Sequence, residues 1–286
     1  MAEIDITLSD NEFNKIRDRI YKIAGISLGE AKRTLVISRL SKLLKPKGLA
    51  SFDDYVNFLD HKAAPKDHQE FVNALTTNLT RFYRESHHFD HLVKQVGKII
   101  AAPNQLRANG KPRLRIWSAG CSTGQEPYTI AMCLMAHYPQ LRSWDFRILA
   151  TDVDTQVLER AAQATYPETE LEGLSKQQAK IFERAGDTMI RVPANLRKLM
   201  TFKPLNLMKN WPFKGPFDAI FCRNVTIYFD KPTQTKVFER FAMLLSDEGY
   251  LYIGHSENMR AEAVGFSLCG KTIYKRLAGA NRRVAA

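Results

Sequence analysis

A short stretch in the middle of the chain combines two glycines with a carboxylate. Residues 117–128 read WSAGCSTGQEPY, where Gly120 and Gly124 follow an apolar run and Glu126 comes two residues after the second glycine. A strand that ends in such a turn and continues into a helix brings backbone N–H groups close to a ligand. Glu126 would repel a pyrophosphate, so the stretch favours a ligand with positive charge. The alternative is that the glycines only make a turn and Glu126 complements the helix dipole.

A second carboxylate ends the next apolar run. FRILATD, residues 146–152, places Asp152 at the end of a predicted strand, where a carboxylate can accept both hydroxyls of a ribose. The dinucleotide pattern GxGxxG is absent from the preceding turn. S-adenosylmethionine (SAM) fits both acids, because it joins an adenosine to an ammonium and a sulfonium. The sequence therefore predicts SAM as the cofactor, with Gly120, Glu126 and Asp152 at its site.

The elements that would position these residues alternate between strand and helix. Over 112–286, apolar strand-like runs such as LRIWS and FDAIFC are separated by helical patterns, which predicts an α/β fold with a mostly parallel sheet. TMIRV and KLMTFK resemble short antiparallel strands around a Pro and Asn turn. We therefore expect a small β insertion at about 186–203.

The chain before this region contains only helical patterns. Residues 1–72 predict a helical domain, with capping boxes at Ser9 with Glu12 and at Ser51 with Asp54. Residues 73–111 predict a linker with a connecting helix, ending in a polar loop at 107–113.

The charge balance points to an acidic partner. The chain of 286 residues carries 42 Lys and Arg against 30 Asp and Glu, a net charge of +12. No secretory signal or membrane-spanning run is apparent, which predicts a cytoplasmic protein without membrane insertion. The four cysteines lack CxxC spacing and are expected to be reduced thiols. No metal site is predicted, since the adjacent His87 and His88 would point about 100° apart on a helix.

Several separated motifs together resemble one known family, the chemotaxis receptor methyltransferases (CheR). The motifs are NALTTNLTRFYRE at 73–85, WSAGCSTGQEPY at 117–128, ATDVD at 150–154, NL at 206–207, FDAIFCRNVTIYFD at 217–230 and GHSEN at 254–258. The resemblance covers nearly the whole chain. It implies an all-α N-terminal domain and a Rossmann-like class I SAM-dependent methyltransferase domain that carries a small antiparallel β-subdomain.

The resemblance also implies a role for each matching position. The linker residues that contact SAM match Asn78, Thr80 and Arg84. The acid at the methionine part of SAM matches Glu126, and the acid at its ribose matches Asp152. The remaining cofactor contacts match Asn206, Leu207, Arg223 and Asn224, and a tyrosine close to the transferred methyl group matches Tyr228. We expect Arg84 to steer the substrate carboxylate and Tyr228 to help alignment. From the residues alone, two other interpretations stay open: residues 76–78 cap a helix, and Tyr228 is a packing residue.

The implied reaction moves the methyl group of SAM to glutamate side chains in the cytoplasmic domain of chemoreceptors, forming methyl esters. It implies a cytoplasmic enzyme recruited to receptor arrays, and we expect a monomer that binds no nucleic acid. Two alternatives are a nucleic-acid methyltransferase, which the basic charge suits, and a module that senses SAM without turnover.

Basic residues near the second predicted helix offer a docking face for acidic receptor helices. This face comprises Lys32, Arg33, Arg39 and Lys42; the alternative is an ordinary solvated helix surface. Some family members also hold a receptor's C-terminal peptide on the β-subdomain. The predicted hairpin turn here, AGD, is short, so we expect no dependence on such a tether.

Overall fold

The computed structural model describes residues 7–102 and 110–278, so part of the predicted loop at 107–113 lies outside the described residues. Its helices are α1 (Asp10–Ala24), α2 (Arg33–Leu44), α3 (Phe52–His61), α4 (Pro65–Leu75), α5 (His87–Ala101), α6 (Gln125–His137), α7 (Thr155–Gln163), α8 (Lys176–Ala179), α9 (Ala194–Arg197) and α10 (Lys231–Leu244). None of these helices is both long and apolar enough to cross a membrane.

The first four helices form an all-α unit around their own core. Both predicted capping boxes are present, at Ser9 with Glu12 and at Ser51 with Asp54, so α1 and α3 begin where the sequence indicates. The apolar stripe of α1 packs against α2, α3 and α4, and the core includes Phe13, Ile16, Ile20, Val36, Leu40, Phe52, Tyr55 and Phe71. Helix α4 continues to Leu75, past the predicted boundary at residue 72.

The second unit is built on a central sheet. The strands are β1 (Arg113–Ala119), β2 (Asp145–Asp152), β3 (Thr165–Pro167), β4 (Glu183–Arg184), β5 (Met189–Arg191), β6 (Met200–Pro204), β7 (Phe217–Cys222), β8 (Leu245–Ile253), β9 (Phe266–Gly270) and β10 (Ile273–Arg276). The seven-stranded sheet has the order β6-β2-β1-β7-β8-β10-β9. Its first five strands are parallel, and β10 is antiparallel to both neighbours.

This strand order fixes where a ligand can bind. The chain passes from β1 outward to β2 and β6, and then returns to the other side of β1 with β7. A crevice opens beyond the carboxyl ends of the strands at such a reversal. The carboxyl ends of β1, β2 and β7 and the segments that follow them carry Gly120, Glu126, Asp152, Arg223, Asn224 and Tyr228. The topology therefore brings these predicted site residues together.

The predicted β insertion at about 186–203 is wrong in its bounds. The small antiparallel sheet has the order β3-β5-β4 and lies between Thr165 and Arg191. KLMTFK contributes β6, which pairs in parallel with β2 from Ile148 with Met200 to Asp152 with Pro204. An exposed edge strand alternates apolar and polar residues whether its neighbour is parallel or antiparallel, so its own pattern does not identify the partner.

The two units contact one another through hydrogen bonds at the end of α1. The Tyr21 hydroxyl donates to Asp230 at 2.6 Å, and the Asn206 amide donates to the carbonyl of Ile23 at 2.6 Å. The Ser27 N–H donates to the carbonyl of Tyr228 at 2.8 Å. The end of the helical unit is therefore tied to segments that carry predicted cofactor contacts.

Candidate active site

A cleft lies between the helical unit, the linker and the carboxyl ends of the parallel strands. All of the predicted cofactor and catalytic positions line it: Asn78, Thr80, Arg84, Gly120, Glu126, Asp152, Asn206, Leu207, Arg223, Asn224 and Tyr228. The helical unit adds Ala24 and Ile26 to the wall, which the sequence analysis did not predict.

The turn after β1 needs glycine for two reasons. Gly120 has φ +84, a conformation that residues with a side chain rarely adopt, and its N–H donates to the carbonyl of Thr151 at 2.7 Å. A Cβ on Gly120 would lie 2.3 Å from Cγ2 of Val225. The turn therefore brings backbone, without a side chain, to the wall of the cleft.

Asp152 is held by the backbone around it. Its carboxylate accepts from the N–H of Ser122 at 2.8 Å and from that of Asp154 at 3.0 Å. Burial raises the pKa of Asp152 to about 6, although these hydrogen bonds oppose the shift. Each carboxylate oxygen can accept further hydrogen bonds, so Asp152 retains the capacity to bind ligand hydroxyls.

Glu126 and Arg223 form a buried ion pair below the cleft. Nη1 of Arg223 lies 3.3 Å from Glu126, and the Ser118 hydroxyl donates to Glu126 at 2.7 Å. Arg223 also lies 3.5 Å from Glu85 and donates to the carbonyl of Arg84. Burial raises the pKa of Glu126, whereas Arg223 and Ser118 lower it less. A cationic ligand beside Glu126 would therefore favour its ionised form.

The linker is anchored on the acid that caps α7. Asp154 accepts from the N–H of Gln156 at 2.9 Å, from the Thr76 hydroxyl at 2.8 Å and from the Asn78 amide at 2.8 Å. The alternative that residues 76–78 cap a helix holds in part, because Thr76 is the C-cap of α4. The side chains of Thr76 and Asn78 also tie the linker to Asp154. Arg84 lies farther along, where its guanidinium donates to the carbonyl of Leu79 at 3.0 Å.

The segment after β7 presents an unpaired amide oxygen. Asn224 has φ +58, and its Oδ1 is buried without a hydrogen-bond partner among the described residues. A buried acceptor that the protein leaves unpaired is costly unless a ligand donates to it. Tyr228 lies four residues later in a single turn, Thr226–Tyr228, and contacts the core of the helical unit.

The donor set of this cleft fits SAM. Ala24, Ile26 and Leu207 offer an apolar surface for an adenine, Asp152 accepts hydroxyls, and Glu126 supplies negative charge for an ammonium. Within the described residues, no group of three His, Cys, Asp or Glu side chains is arranged to hold a metal ion.

Comparison with known proteins decides the family. The model of the CheR methyltransferase SAM-binding domain matches residues 78–275, and that of the CheR all-alpha domain matches residues 11–76. The chain belongs to the CheR methyltransferase family. The predicted membership of the CheR family, the predicted fold class and SAM as the cofactor are confirmed.

Curated relatives align with this CheR chain over nearly its whole length. It is 46% identical over 262 residues to a probable chemotaxis protein methyltransferase of Rhizobium etli, covering 90% of this chain and 96% of the relative. It is 42% identical over 274 residues to the chemotaxis protein methyltransferase of Escherichia coli, covering 94% and 92%. The protein is therefore a SAM-dependent chemotaxis methyltransferase. The alternative of a module that binds SAM without turnover is set aside.

The predicted docking residues do not form one uniform face. Arg33 donates to the carbonyl of Leu8 at 3.1 Å and to Asp10 at 2.7 Å, and Arg39 donates to the carbonyls of Ala74 and Thr76. Lys32 precedes α2 in a separate turn, so it does not lie on the same helix as Arg39 and Lys42. Lys42 is exposed and, with Arg39, lines a groove next to the cleft.

Several residues that support the site were not predicted from the sequence. Ser118 and Glu85 orient the buried charges, Asp154 anchors the linker, and Glu257 binds the segment after β7. All four lie inside the motifs shared with the family, and an acid directly before a helix was a usable signal for Asp154. The partners of Glu85 and Glu257 are distant in sequence, so spacing alone carried no signal for them.

Proposed function

We propose that this CheR enzyme transfers the methyl group of SAM to glutamate side chains in the cytoplasmic domain of chemoreceptors, forming glutamyl methyl esters and releasing S-adenosylhomocysteine. The observation that carries the proposal is the position of Arg84, which lines the cofactor cleft and is 24% exposed. A guanidinium in that position matches the geometry of a carboxylate substrate.

The chain supplies alignment rather than proton transfer. A glutamate is already ionised at neutral pH and needs no general base. SAM supplies an activated methyl group bonded to a sulfonium. Glu126 and Asp152 would hold the ammonium and the ribose, Asn224 would accept from the cofactor, and Arg84 would orient the substrate carboxylate. Tyr228 would restrict the angle of approach and exclude water, which makes the encounter effectively intramolecular.

Acidic receptor helices would reach the cleft along the neighbouring groove. The groove is lined by the basic residues Arg39, Lys42, Lys47 and Arg160 and by the acids Glu70, Asp154 and Glu170. It shares the linker residues 76 and 78–80 with the cleft. Leu79 lies on this shared wall with 83% of its surface exposed. Basic residues and one exposed apolar side chain suit a helix that carries both glutamates and apolar positions.

A methyl-transfer assay with labelled SAM tests the substrate. Membranes that contain chemoreceptors should accept label that mild alkali releases as methanol, which identifies an ester. Transfer to tRNA or DNA, or alkali-stable label on the receptor, would contradict the proposal and favour the nucleic-acid or another methyltransferase class.

We further propose that the enzyme works as a monomer without a receptor tail tether. The β4 and β5 strands are short and are joined by residues 185–188, which leaves little surface for an added peptide strand. Titration with a peptide from a receptor C-terminus should give no measurable binding; micromolar binding would contradict this proposal.

A further inference from the structure

One buried carboxylate accepts hydrogen bonds from several backbone N–H groups of the segment after β7. Glu257 is 5% exposed and lies in the loop after β8. Its Oε1 accepts from the N–H of Val225 at 3.0 Å and from both the N–H and the hydroxyl of Thr226 at 2.7 Å. Its Oε2 accepts from the N–H of Asn224 at 2.8 Å and from that of Gly254.

The residues held in this way form one wall of the cofactor cleft. Asn224 carries the buried amide oxygen that lacks a partner, and Val225 packs against the turn at Gly120. A Cβ on Gly254 would lie 2.6 Å from Nδ2 of Asn224, so the loop that carries Glu257 also touches this side chain directly.

We propose that Glu257 is a positioning residue for the cofactor: its carboxylate fixes the left-handed turn at Asn224 so that the Asn224 amide faces the cleft. The proposal rests on the proposed cofactor contact of Asn224. Consecutive N–H groups in a tight turn form a concave site for an anion, and a carboxylate has acceptors in both oxygens. An amide offers one acceptor oxygen and an NH₂ group that would oppose two of these donors.

The test substitution is Glu257→Gln, measured by calorimetric titration with S-adenosylhomocysteine at a temperature far below unfolding. We expect the dissociation constant to rise about tenfold or more, because the turn is no longer held for the ligand. Circular dichroism should show an intact fold. This binding needs no receptor, so its failure is distinct from a failure of the proposed substrate.

Glu12→Gln is the matched control. Glu12 also accepts backbone N–H groups, from Ser9 at 2.8 Å and Asp53 at 3.0 Å, but it lies at the start of α1 and does not line the cleft. This variant should unfold at a lower temperature while its affinity for S-adenosylhomocysteine stays unchanged.

Thr226→Val provides a second test if Glu257→Gln does not fold. It removes one donor to Glu257 with little change in volume and should weaken binding about threefold. The proposal is overturned if folded Glu257→Gln binds within twofold of the wild type. It is also overturned if Glu257→Gln fails to fold and Thr226→Val binds like the wild type.

Discussion

Arg223 lies between two carboxylates at the base of the cleft. It is within 3.5 Å of both Glu85 and Glu126, and its side chain is 2% exposed. Burial raises the pKa of Glu85, but hydrogen bonds from His255 and the charge of Arg223 outweigh this effect, and the net shift of the Glu85 pKa is downward. Nε of Arg84 also lies 3.9 Å from Glu85, so Arg223 is the cation that Glu126 contacts, and a ligand ammonium would add a second positive charge beside Glu126.

Arg84 is the residue on which substrate alignment is expected to depend. Arg84→Ala should lower kcat/KM for receptor about 100-fold, because the carboxylate loses its charge-assisted donor and its orientation. Labelled methyl transfer measures this loss, and unfolding in urea should be nearly unchanged. Arg142→Ala, at an exposed arginine away from the cleft, is the control. Near-normal turnover by Arg84→Ala would remove Arg84 from the proposed mechanism.

Asp152 should make cofactor binding dependent on pH. Its pKa of about 6 in the folded protein exceeds its ordinary value of 3.8, so the folded chain retains a proton that the unfolded chain releases. The free energy of unfolding therefore falls as pH rises from about 4 to about 6. Ligand hydroxyls bind better to the ionised form of Asp152. The affinity for the cofactor should therefore rise with pH over the range in which the free energy of unfolding falls.

The affinity for S-adenosylhomocysteine should therefore fall as pH drops through about 6. Below that pH, the loss of affinity should approach about tenfold for each pH unit. The amino and carboxyl groups of the ligand titrate outside the range of pH 5 to 7. Titration calorimetry across this range measures the effect. Asp152→Asn should bind weakly with a flatter profile; an equally steep profile in this variant would assign the dependence to another group.

At the scale of elements, the start of α7 connects the linker to the cofactor-binding end of β2. Asp154 accepts from Thr76 and Asn78, and its own N–H donates to Asp152. Asp154→Ala removes the cap of α7 and the anchors of Thr76 and Asn78, so it should destabilise the fold by about 1 to 2 kcal/mol. It should also weaken S-adenosylhomocysteine binding about tenfold. Urea unfolding and calorimetry measure the two effects.

Ser51→Ala is the control for Asp154→Ala. It removes the cap of α3, which lies in the helical unit, and should lower stability by about 1 kcal/mol without changing ligand affinity. If both variants lose stability and neither loses affinity, Asp154 is only a helix cap.

Local sequence patterns predicted the helices and strands better than they predicted which strands pair with one another. Capping boxes gave the starts of α1 and α3, and long apolar runs gave β1, β2 and β7. The short strands β3, β4 and β9 were not predicted, since two to five residues carry too little periodicity. The strand β6 was predicted but given the wrong partner, because its own pattern does not identify the neighbouring strand. The motifs predicted the lining of the cleft, but not the contacts of Glu257 or Ala24, which depend on distant segments.

At the scale of the whole molecule, the net charge is +12, but several of the basic side chains already bind other parts of the chain. Arg33 and Arg39 bind the chain itself, and Lys47 pairs with Asp67 and Glu70. Lys42 is exposed along the groove that leads to the cleft. It is therefore the better site than Arg39 for testing receptor docking, because its substitution leaves the anchors of the linker intact.

Lys42→Glu should raise KM for receptor about threefold to tenfold and reduce the dependence of KM on salt, while kcat and S-adenosylhomocysteine affinity stay unchanged. Initial rates at several salt concentrations measure this. Lys94→Glu is the matched control, because Lys94 is exposed on α5 and lines neither the cleft nor the groove. Equal changes in both variants would indicate that net charge, rather than the groove, attracts the receptor. No change in either would contradict electrostatic docking.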